Sequence, residues 1–93
     1  MSIYLLEVFF LYYYIAFNSI TFANRIKNHF RYDGDYVGVM HTPSQFALGG
    51  CSYSVKVKPQ KLQQVLAISD EFGFKIKGVF QQTSDGQFFE VSV

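Results

Sequence analysis

Apolar positions recur along this chain at two periods, about 3.6 and 2, and the order in which these periods alternate predicts a layered α+β domain. Residues 11–17, Leu-Tyr-Tyr-Tyr-Ile-Ala-Phe, form a short, continuous, aromatic-rich run that reads as a buried central strand. Asn18 or Ser19 can cap the next segment, in which Phe22, Ala23, Ile26 and Phe30 recur at helical spacing while Arg25, Lys27, Asn28 and Arg31 take the opposite face. Asp33-Gly34-Asp35 reads as a turn and residues 36–40 as a second strand. Farther on, Tyr53, Val55 and Val57 alternate with Ser52, Ser54, Lys56 and Lys58, the pattern of a strand with one buried and one wet face. Pro59 suits the first turn of a helix whose inward positions are Leu62, Val65, Leu66 and Phe72, and Gly73 can stop it. A fourth strand is expected over 77–82. Asp85-Gly86 then signals a hairpin into a fifth strand, where Phe89, Val91 and Val93 alternate with Phe88, Glu90 and Ser92.

This order predicts a ferredoxin-like βαββαβ sandwich: one antiparallel sheet with two helices on one face, plus an extra C-terminal hairpin strand. Residues 1–93 read as a single domain, with 1–10 an apolar N-terminal extension and 84–93 a C-terminal hairpin extension. The apolar extension is compatible with a longer first strand, a separate strand or a short helix. The topology has a consequence for chemistry. With the first and second strands parallel, the loop after the second strand lies at the sheet end where the first helix starts, so Cys51 is expected near Asn18, Ser19 and Ile20.

A chain of 93 residues supports one core without disulfides or metals, and 49% apolar content argues against a disordered tail or long linker. A net charge of +1 without any basic run lacks the footprint of a nucleic-acid binder. Tyr12, Tyr13 and Tyr14 therefore read as core and sheet packing rather than as stacking platforms for RNA bases. One cysteine makes neither an internal disulfide nor a multi-cysteine zinc site, which fits a reducing cytoplasm. Neither a phosphate-binding glycine loop, a dinucleotide fingerprint nor a metal-ligand spacing is present, so no cofactor is expected. The apolar run at residues 3–17 is interrupted by Glu7 and is shorter than the roughly 20 residues of a membrane span. It also lacks the basic leader and small-residue cleavage site of a signal peptide. No membrane association is expected, and burial in the core or in a homo-oligomer interface suits it better.

The loop leading to Cys51 carries the candidate chemistry. Gly49 and Gly50 leave little side-chain bulk beside the sulfur and allow backbone conformations closed to other residues. A thiolate, not a thiol, is the nucleophile, and a helix N-terminus together with the Gly49 and Gly50 amides would favour that charge. His41, across the same loop, would serve as a base or cationic neighbour if the loop folds back. Unpaired cysteines are also common small apolar fillers, and a histidine before Thr42-Pro43 is commonly a hydrogen-bonded loop residue. Both readings of each residue stay open at this point. His29 reads as solvated surface, and Lys56 and Lys58 as the wet face of a strand.

A strand ending in Phe17-Asn18-Ser19, an amphipathic helix, a strand leading to Thr42-Pro43, and Cys51 ahead of residues 53–57 together resemble the Se/S carrier protein-like family of small bacterial domains over roughly residues 12–82. The resemblance implies a role in holding or passing sulfur or selenium on a cysteine, with Cys51 at the position of the family's cysteine. Thr42 and Pro43 join the candidate binding residues on the same ground. The chain departs from the family pattern at Ser44, where arginine is usual, and at Ser52, where glycine is usual. The missing arginine removes a group that would hold an anionic substrate or thiolate.

The leading expectation is a cysteine carrier that receives sulfur or selenium from a donor protein on Cys51 and hands it on, more a relay than a turnover enzyme. The rival is a noncatalytic ligand-binding or dimerisation module in which Cys51 is structural.

Overall fold

The protein is described by a computed structural model at residues 12–46 and 52–91. The N-terminal extension and the Gly49, Gly50 and Cys51 positions singled out above lie outside these residues. The described chain runs β1 (Tyr12–Phe17), α1 (Ile20–His29), β2 (Tyr36–His41), β3 (Tyr53–Val57), α2 (Leu62–Phe72), β4 (Ile76–Gln82) and β5 (Phe88–Val91). Single 3₁₀ turns, Ser44–Phe46 and Pro59–Lys61, precede β3 and α2 respectively.

The five strands form one antiparallel sheet in the order β2-β3-β1-β4-β5. The α+β class, both helices and the additional C-terminal strand correspond to the expected elements. β1 is central, and its odd-numbered residues Ile15 and Phe17 meet Val55, Val57 and Val79 from the neighbouring strands. Ala23, Ile26 and Phe30 of the α1 segment and Leu62 and Val65 of α2 close this core from one side, which explains the helical spacing of those residues.

The element ends follow local chemistry. The Ser19 hydroxyl accepts the Thr21 amide at 3.0 Å, so Ser19 is the cap of α1. Gly73 ends α2 at φ 73°, a left-handed conformation that costs other residues energy, and the Phe74 amide reaches back to the Ser69 carbonyl at 2.8 Å. In the β4–β5 hairpin, Gly86 sits at φ 85°, and the Thr83 hydroxyl and the Gln87 amide both donate to Asp85. Those bonds, the Thr83 one foremost, hold the Asp85 carboxyl below its usual range.

Two side-chain expectations are corrected. Phe72 is 57% exposed rather than inward-facing, because the left-handed Gly73 turns the chain and Phe74 takes the place against the core. The outer face of β3 is not wet. Ser52 and Ser54 are buried, and Lys56 lies over the rings of Tyr12 and Tyr14 at 4.2 and 5.4 Å. A second apolar layer covers that face, as described below.

Tyr36 carries a testable strain. Its hydroxyl is buried without a hydrogen-bond partner, and burial raises its pKa to about 12. Replacing Tyr36 by phenylalanine removes an unsatisfied polar atom and keeps the ring, so a gain of about 1 kcal/mol is expected. For a domain of this size, that is a rise in melting temperature of about 4–8 °C, measurable by calorimetry. An unchanged or lower melting temperature would mean that the hydroxyl has a partner in solution.

Candidate functional site

The sheet register determines where the cysteine loop leaves the fold. His41, Tyr53, Phe17 and Ile76 are successive cross-strand partners, so the end of β2, the start of β3, the end of β1 and the start of β4 share one edge of the domain. Asn18, an exposed turn residue, and the α1 cap Ser19 follow Phe17 at that edge. Neighbouring strands lie about 4.8 Å apart, so Phe17, the last residue of β1, is about one strand spacing from Tyr53, the residue after Ser52. The first-turn amides of Ile20 and Phe22 have no acceptor within the helix by the geometry of any α-helix, and they open toward this end.

Both ends of the loop are fastened. The Thr42 amide donates to the Ser52 carbonyl at 3.0 Å, which continues the β2–β3 ladder one step past the strands. The Thr42 and Ser54 hydroxyls share a hydrogen bond at 2.8 Å, and Ser54 is wholly buried. Pro43 then opens the 3₁₀ turn, its carbonyl accepting the Phe46 amide at 3.0 Å. This turn carries Phe46 back over the sheet face opposite the helices.

Phe46 is only 6% exposed and is the anchor of the second apolar layer. Its ring stacks on Phe80 at 4.1 Å and meets Phe88 and Tyr14 edge-on at 4.9 and 5.6 Å. Tyr12 and Met40 pack around this group, and the Tyr14 hydroxyl donates to Gln82 at 3.1 Å. A Cβ at Gly78 would approach the Phe80 ring to 3.0 Å, so the glycine leaves room for that ring. Sequence reasoning missed Phe46. A lone aromatic residue between the loop proline and the glycine pair was the available signal, together with the even-numbered apolar residues Tyr12, Tyr14, Phe80 and Phe88.

His41 is the last residue of β2 rather than a loop residue, and its ring lies 4.8 Å from that of Tyr53, its cross-strand partner. The histidine is exposed and therefore solvent-accessible at the base of the loop. His29 is exposed on α1, as expected, with its ring 4.8 Å from that of Phe30. The structure thus brings Asn18, Ser19, His41, Thr42 and Ser52 to one end of the sheet. Among the described residues, no group of three histidine, cysteine, aspartate or glutamate side chains could hold a metal ion. No helix among them is long and apolar enough to cross a membrane.

Comparison with known proteins bears on this end of the molecule. No curated protein and no solved structure is significantly similar to the chain. The family described as "Putative Se/S carrier protein-like" matches residues 12–81, from the first residue of β1 to the penultimate residue of β4. That span includes the whole loop between β2 and β3 and both helices, and the chain belongs to this family.

Proposed function

We propose that the protein accepts a sulfur or selenium atom on Cys51 and passes it to a second nucleophile. The observation that carries this reading is the family match over the segment that holds the chain's only cysteine. The register supports it further, because the loop is fastened at Thr42 and Ser52 on the edge where α1 begins. In loading, the Cys51 thiolate attacks the outer sulfur of a donor persulfide; a new S–S bond forms as the donor's S–S bond breaks, and the donor leaves as its thiolate. Oxidant and reductant are both unnecessary, since one disulfide-type bond replaces another. Unloading is the same exchange with an acceptor thiolate as attacker.

The chain supplies placement and charge. The first-turn amides of α1 favour an anionic sulfur nearby. His41, accessible at the loop base, adds a second group that is able to hold or give a proton. Asn18, Thr42 and Pro43 border the approach, and Gly49 and Gly50, directly before Cys51 in the sequence, bring no side-chain bulk. The strand order supports reading the first four strands and two helices as a ferredoxin-like βαββαβ unit to which β5 is added. In a reducing cytoplasm the lone thiol would remain free for this exchange.

Transfer separates a carrier from a binding module. Wild-type protein incubated with glutathione persulfide and desalted should hand one sulfur to an added low-molecular-weight thiol, whereas Cys51→Ser should transfer none. Equal transfer by the two proteins, or none by either, contradicts the proposal.

A further inference from the structure

The sheet ends on β2 at one side and β5 at the other, and the two edges differ. The β2 edge is irregular: its register with β3 shifts between Tyr36 and Gly38, and a bulge of that kind bends a strand away from further pairing. β5 keeps an unbroken register with β4, carries neither proline nor lysine, and among the described residues has no strand on its outer side. Phe89 in this strand is 49% exposed, and Glu90 is exposed as well.

The hairpin determines which backbone groups face outward. The Thr83 amide donates to the Gln87 carbonyl at 2.9 Å, and hydrogen-bonded pairs in an antiparallel ladder recur at every second residue. Gln81 and Phe89 therefore bond to each other, whereas the amides and carbonyls of Phe88 and Glu90 point away from β4. A strand of the same phase satisfies all four groups. When two copies of β5 meet across a two-fold axis, Phe88 of each bonds to Glu90 of the other, and the two Phe89 side chains lie opposite each other in a non-hydrogen-bonded pair. Sliding one copy by two residues either sets Glu90 against Glu90, where like charges repel, or runs into the turn at Gly86.

We propose that β5 is a homodimerisation edge, to which a second copy of the chain adds its own β5 antiparallel so that the two sheets become one. Charge and area both bear on that occupant. The net charge of +1 leaves little repulsion between copies, and the two-fold register keeps the Glu90 carboxylates from facing each other. A strand of 4 residues buries little surface, and interfaces below about 1,200 Å² are weak and transient, so the dimer is reversible and forms at high concentration. The inference does not depend on the carrier reading. In the strand order, β1 and β4 separate β3 from β5, so pairing at β5 leaves the β2–β3 side of the sheet uncovered.

Sedimentation equilibrium in dithiothreitol, with protein up to about 1 mM, tests the proposal. Wild type should show a monomer–dimer equilibrium, and Glu90→Pro and Phe89→Lys should each raise its dissociation constant at least about tenfold. The proline removes an amide that makes no bond to β4, and the lysine sets like charges opposite each other. Cross-linking reads the register with milder replacements. In a Cys51→Ser background and a glutathione redox buffer, Phe89→Cys should form a disulfide between copies, because its paired Cα atoms lie about 4.5 Å apart, and Glu90→Cys should not. A wild type that stays monomeric at about 1 mM overturns the proposal, even if removal of residues 1–10 then permits a dimer, a result that assigns the edge to that segment. A dimer that neither Glu90→Pro nor Phe89→Lys weakens, or cross-linking through Glu90→Cys instead of Phe89→Cys, overturns it as well.

Discussion

Phe46→Ala is expected to destabilise the protein by about 3 kcal/mol and to lower its melting temperature by more than about 10 °C. The ring is 6% exposed and contacts three other aromatic rings, so truncation leaves a cavity that the rigid sheet below cannot close. Phe46→Leu, which refills most of the volume, should recover most of the loss. Phe89→Ala supplies the contrast: that side chain is 49% exposed, and its loss should cost less than about 1 kcal/mol. Equal melting temperatures for the Phe46 and Phe89 variants would remove Phe46 from the second core. The functional consequence follows from the same anchor. Phe46 ties the start of the cysteine loop to the sheet, so at a temperature where Phe46→Ala is still folded, sulfur loading should be slower than in wild type, and Phe46→Leu should restore it. Unchanged loading would show that the anchor serves stability alone.

Lys61→Met should produce the second large effect, and it should depend on pH. The Lys61 ammonium, with its side chain 11% exposed, lies 2.6 Å from Asp33 Oδ2, donates to Gln64 at 2.6 Å and sits 5.5 Å from the centre of the Phe30 ring. Asp33 also accepts the Asp35 amide at 2.8 Å, so one carboxylate orders the turn after α1 and ties it to the start of α2. These contacts, with the Lys61 hydrogen bond first, hold the Asp33 carboxyl below its usual value of 3.8. A carboxyl whose pKa is lowered by folding contributes stability above its unfolded pKa and loses it as pH falls through the folded one. Wild type should therefore exceed Lys61→Met in stability by a constant margin near neutral pH, and the margin should shrink below about pH 4. Urea unfolding at a series of pH values checks this. A margin that persists unchanged at low pH would mean that Lys61 acts by packing alone.

The helix-facing half of the fold was legible in the sequence because its periods are clean. Ala23, Ile26 and Phe30 announce one helix, Leu62 and Val65 the other, and Tyr53, Val55 and Val57 the strand between them. Gly73 and Asp85-Gly86 mark stops that only particular residues make cheaply. The opposite face was misread for a physical reason. Serine and lysine alternate with the apolar residues of β3, which ordinarily means solvent, but Ser54 is satisfied by Thr42 and Lys56 lies over tyrosine rings. Such partners are distant in sequence, and no local pattern announces them. Phe72 was misread because helical periodicity ignores what the left-handed residue after it does to the chain. For the site, the shared edge of Asn18, Ser19, His41 and Thr42 followed from topology, whereas the anchoring role of Phe46 required the register of four strands.

The most direct test of the account is the intact mass of the protein after brief exposure to glutathione persulfide. The account predicts the addition of a single sulfur atom, released by dithiothreitol and absent from Cys51→Ser. A wild-type mass that does not change, with the protein folded and Cys51 reduced, would contradict it.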